Sequence, residues 1–123
     1  MLSRAYFLSA CVAFIAFGSI AAEGTKPKYD MSSFKSIAEE TLKLITAKTY
    51  PAAEKKIVEL EDKWDAGTLT LKAADRKVWT VIDKQMDVAI EAVKAIKDDK
   101  GAAKATTEIN TFVTKLSDAE KVK

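Results

Sequence analysis

The chain has 123 residues, 20 basic and 18 acidic side chains for a formal net charge of +2, one cysteine and no histidine. That length suits one small domain with a modest core. So even a charge balance argues against electrostatic capture of nucleic acid or anionic membrane, and the residue types present exclude a Ser/His or Cys/His nucleophile, thioether-attached haem and the usual zinc ligand sets.

In chain order, Met1 to Arg4 lead into "AYFLSACVAFIAFGSIAA", uncharged from Ala5 to Ala22 and closing on small residues. This is the pattern of a secretory signal peptide over residues 1–22, with cleavage expected after Ala21 or Ala22. An uncleaved anchor is one rival, since 18 uncharged residues nearly span a bilayer; Gly18 and Ser19 sit where an anchor should still be apolar. The other rival is a lipoprotein box, "LSAC" at Leu8 to Cys11, which would leave only Ala5 to Phe7 as apolar lead-in. Cleavage at the signal site removes Arg4 and Cys11 and leaves 101 residues with 19 basic and 18 acidic side chains. The expected destination is the periplasm or the exterior, with no membrane span after cleavage and no disulfide to support the fold.

Beyond a flexible segment at 23–30, the chain predicts a helical domain over 31–118 and a frayed tail at 119–123. Asp30 is a candidate N-cap, with Tyr29 placed to staple onto Phe34. Phe34, Ile37, Ala38, Thr41, Leu44 and Ile45 are spaced three and four apart, as on one helix face. "TYPAAE" ends that helix and begins the next, with Thr49 or Tyr50 as the cap and Pro51 in the first turn. Ala53, Ile57, Leu60 and Trp64 continue in four-three-four spacing like a bundle seam. Gly67 and its flanking threonines predict a turn over 65–72, the alternative being an unbroken helix from 51 to 97.

The third helix, from about Ala73 to Lys97, carries Val78, Trp79, Val81, Ile82, Met86, Val88, Ala89, Ile90, Ala92, Val93 and Ile96 over an arc of roughly 200°, enough to touch two or more neighbours. "KDDKG" at 97–101 makes the next turn, and Ala105, Ile109, Phe112, Val113 and Leu116 mark the face of the last helix. Short connections imply antiparallel neighbours, so the expected fold is all-α: an up-and-down antiparallel bundle of four helices, or three if 51–97 runs on unbroken.

The candidate site residues lie around "VWTVIDKQMD". Trp79, Asp83 and Asp87 follow at four-residue steps, with Glu91 next, so the acids form a strip along one side of the third helix. Like charges at that spacing repel mildly. With Asp65 brought in from the second helix, Asp83 and Asp87 form a candidate site for a hard divalent cation such as calcium or magnesium, although no loop carries the EF-hand pattern. The competing reading makes Asp83 the edge of a packed helix, serving an indole N–H that needs an acceptor. Trp64, Trp79 and Met86 are the candidates for docking a protein partner, Met86 also being a natural core residue. The 18 lysines are dispersed, with no run longer than Lys55–Lys56, so no nucleic-acid or membrane patch is expected.

The hairpin "ELEDKWDAGTLTLKAADRKVWTVIDKQMDVAIEAVKAI", residues 59–96, with Trp64–Asp65 followed by Trp79, Asp83 and Asp87, resembles a pattern in small uncharacterised exported helical proteins of bacteria. The resemblance covers about two fifths of the chain beyond residue 22 and implies no activity. In outline the chain is also similar to small periplasmic four-helix cytochromes, but it has neither their histidine ligand nor a CxxCH motif. The Leu-Thr-x-x-Gln repeats of small periplasmic stress chaperones are absent. No catalytic residue and no cofactor are expected. The favoured function is a non-catalytic exported bundle that binds a protein or envelope component, with a homodimer possible; the alternative is a cation binder using the acidic strip. A carboxylate-based enzyme would need a cleft that a slender bundle seldom forms.

Overall fold

The computed structural model describes residues 29–121, so the signal-peptide reading of 1–22 and most of the 23–30 segment lie outside the described residues. Those described are all-helical: α1 (Ser32–Thr46), α2 (Tyr50–Gly67), the short α3 (Leu69–Ala74), α4 (Arg76–Lys94) and α5 (Asp99–Ala119). Helix α1 packs on α2, α2 on α4, α4 on α5, and α5 back on α1, so four long helices close around one core, with α3 lying against α4 and α2. Among the described residues no helix is long and apolar enough to cross a membrane.

Helices α1, α2 and α5 bury most of the stripe that their spacing announces, with Leu44 and Val113 only half-buried. Phe34, Ile37, Ala38, Thr41 and Ile45 are buried from α1, Ala53, Ile57, Leu60 and Trp64 from α2, and Ala105, Ile109, Phe112, Leu116 and Ala119 from α5. Burying each large apolar side chain contributes about 1.5–3 kcal/mol. Among the described residues every buried side-chain nitrogen and oxygen has a hydrogen-bond partner, so little of that gain is spent on unpaired polar atoms.

The helix count differs from the expected four because the chain between Trp64 and Val78 breaks twice. Helix α2 runs through Gly67, and the first break is the single residue Thr68 (φ −119°, ψ 21°). The expected turn over 65–72 is therefore helical on both sides of one joint. The second break is Asp75, whose carboxylate accepts the Val78 N–H at 3.1 Å and so caps α4. Asp98 does the same for α5 by accepting the Gly101 N–H at 2.8 Å. Gly101 lies inside α5, where an added Cβ would stand 3.3 Å from the Ile96 Cα, a tight contact that the 95–98 connection would have to ease by a few tenths of an ångström.

Between α1 and α2 the Lys48 N–H donates to the Ile45 carbonyl and the Thr49 N–H to the Leu44 carbonyl, both at 2.9 Å. This is a Schellman closure, and it holds Lys48 at φ 61°, a conformation that glycine adopts more cheaply. The Thr49 hydroxyl also bonds the Leu44 carbonyl rather than capping α2, and Pro51 occupies the first turn as expected. Of the tail at 119–123, residues 119–121 are described and 122–123 lie outside the described residues. Ala119 is fully buried, and Glu120 accepts the Met31 N–H at 3.0 Å and pairs with Lys35. The end of α5 thus fastens the first turn of α1, which Asp30 also supports by accepting the Ser32 N–H.

Candidate functional site

At the joint, the side chain of Thr68 is tied on two sides. Its hydroxyl donates to the Trp64 carbonyl at 2.6 Å and accepts the Trp79 indole N–H at 2.8 Å. The Trp64 indole N–H donates in turn to Asp83 Oδ1 at 3.1 Å. The two indoles are stacked at 6.0 Å between centroids and 23° between planes, Phe34 meets Trp64 edge-on at 5.4 Å, and the Lys72 ammonium lies 4.4 Å from the Trp79 ring centroid. Three helices and the joint are therefore locked by interleaved aromatic and polar contacts.

Burial is the main influence raising the Asp83 carboxyl above its ordinary value of 3.8, followed by the charge of Asp87; the Trp64 hydrogen bond opposes this, Asp65 adds to it and Lys72 opposes it. The Trp64 indole takes its acceptor, Asp83, from α4, and the Trp79 indole takes a threonine hydroxyl rather than an aspartate. Trp64 and Met86 are 0% and 1% exposed, so as core residues they present no surface to a partner. Trp79 is half-buried. Asp65 and Asp87 stand near enough for Asp83 to feel their charge, yet among the described residues no three acidic, histidine or cysteine side chains form a group that could hold a metal ion.

The open part of the surface lies on the other side of α4. Ile82, Met86, Ala89, Ile90, Ala92 and Val93 are buried, but Val81 and Val88 remain 48% and 45% exposed. The broad apolar arc is thus wider than its neighbours cover. Two grooves run beside these valines between α4 and α5. One, of about 220 Å³, is lined by Val78, Val81, Lys115 and Ala119 among others; the second, of about 580 Å³, is lined by Val88, Ala92, Ala95, Gly101 and Lys104 among others. Between them, Gln85 Nε2 donates to the Glu108 backbone carbonyl at 3.1 Å and to its carboxylate at 3.0 Å. Sequence reasoning did not single out this bridge; a glutamine within the apolar arc was its one visible trace.

Compared with family models, with curated proteins and with solved structures, the chain matches none.

Proposed function

We propose that this protein is a non-catalytic, exported, up-and-down helical bundle that acts by binding another protein or an envelope component in an accessory role. The observation that carries the reading is the uncovered apolar face of α4, with Val81 and Val88 exposed beside the two α4–α5 grooves. Apolar surface held on a well-packed scaffold is what helix-in-groove recognition uses. The aromatic lock supports the same reading from the other side, because it commits Trp64, Thr68 and Asp83 to one another and leaves them structural. Export rests on the uncharged stretch that ends at Ala22.

The test is site-specific photocrosslinking in cells that export the full-length coding product. A photoreactive residue at Val88 should give a discrete adduct, and one at Val58, an exposed valine on α2, should give none. Absence of any adduct from Val81 and Val88 would refute the reading. The alternative, a divalent-cation binder using Asp65, Asp83 and Asp87, has against it that among the described residues no three such side chains form a group that could hold the ion. It requires a melting point that rises saturably with calcium or magnesium.

A further inference from the structure

We propose that the occupant of the exposed α4 face is a second copy of this chain, docked antiparallel about a two-fold axis that passes beside Val88. The proposal rests on the binding reading above and names its partner. Three observations carry it.

The first is register. Val81, Val88 and Ala95 are seven residues apart and all exposed, forming a narrow apolar ridge that keeps one bearing along the helix, as the seam of a helix pair does.

The second is shape. An axis at Val88 sets Val81 of one copy opposite Ala95 of the other. There the larger groove has a floor of small residues, Ala92, Ala95 and Gly101, which leaves room for a valine, and a charged border of Asp87, Glu91, Lys104 and Glu108. The ridge of each copy meets the recess of its mate, the self-complementary arrangement that a two-fold interface requires.

The third is charge. Lys77, Lys84 and Glu91 form a second row at seven-residue spacing beside the ridge, all exposed, and none has an ion-pair partner among the described residues. The row is basic toward the start of α4 and acidic toward its end. Antiparallel docking brings Lys84 opposite Glu91 of the second copy, twice by symmetry, and turns Lys77 toward the acidic Asp98–Asp99 connection. In a parallel two-fold pair the two copies of this row would lie on opposite edges of the seam and could not meet. Flanking charges of this kind choose partner and orientation.

The experiment uses protein exported from the full-length coding sequence and purified as it accumulates. Sedimentation should show a dimer that dissociates on dilution. Lys84→Glu and Glu91→Lys should each weaken association by about tenfold or more, since each makes two like-charge pairs, and the double exchange should restore it. Both positions are exposed, and circular dichroism checks that the variants fold. In a Cys11→Ser background, Val88→Cys should form an intermolecular disulfide on mild oxidation, whereas Val58→Cys should not. A monomer at millimolar concentration overturns the proposal, as does a dimer indifferent to both charge exchanges. A monomer that still crosslinks to a different protein at Val88 overturns self-association and leaves the binding reading standing; a monomer that crosslinks to nothing removes both.

Discussion

Replacing Asp83 by alanine removes the acceptor of the Trp64 indole N–H, a bond of 3.1 Å made by a residue with no exposed surface. An indole donor left inside the core without a partner costs about 1–3 kcal/mol. For a domain of this size each kcal/mol moves the melting temperature by roughly 4–8 °C, so Asp83→Ala should melt on the order of 5–20 °C below the parent by circular dichroism at neutral pH. Asp83→Asn keeps an oxygen acceptor while removing a charge that burial and Asp87 disfavour, so it should melt at or above the parent.

The pH dependence separates the two contributions. The folded protein holds the Asp83 proton more tightly than the unfolded chain, because its folded pKa lies above 3.8. The stability linked to that proton is present in full below 3.8 and lost as pH rises through the folded value. Any advantage of Asp83→Asn should therefore be largest at neutral pH and shrink on acidification. If Asp83→Ala melts with the parent, or Asp83→Asn is as damaging as alanine, the bond does not hold the corner together.

Further outcomes follow from the same geometry. Lys48→Gly should stabilise the protein by about 0.5–1 kcal/mol in urea denaturation, because Lys48 stands at φ 61°. Gly67→Ala should be neutral or stabilising by up to about 1 kcal/mol, since an added Cβ meets the Phe34 ring at an ordinary 3.4 Å. Glu120→Ala should speed amide exchange at Met31 and across the first turn of α1, as it frees the Met31 N–H and Lys35 together. Phe112→Ala should cost about 3–5 kcal/mol, as the ring is fully buried.

The residues that sequence reading located best are those whose role is set by periodicity. Ala53, Ile57, Leu60 and Trp64 form the buried face of α2 as their spacing requires, and the stripes of α1 and α5 behave alike. Gly67 was a poorer guide. The break it seemed to mark lies one residue later, at Thr68, whose hydroxyl is held by Trp64 and by Trp79 eleven residues further on. Local propensity sees the cost of a glycine but not a bond that forms only once two helices have met. Glu120 makes the same point: a charged segment reads as solvated, and its bond to Met31, 89 residues earlier in the chain, forms only in the folded bundle.

For the candidate site, the chain's own pattern established that Trp79, Asp83 and Asp87 share a side of one helix and that α4 is apolar over more than one face. Which carboxylate serves which indole, and which valines stay uncovered, was decided by how α2 and α5 flank α4. Period dictates which side chains share a helix face, because the backbone repeats regularly. The identity of what each face meets depends on the relative placement of whole helices, which is settled by the packing of the entire core.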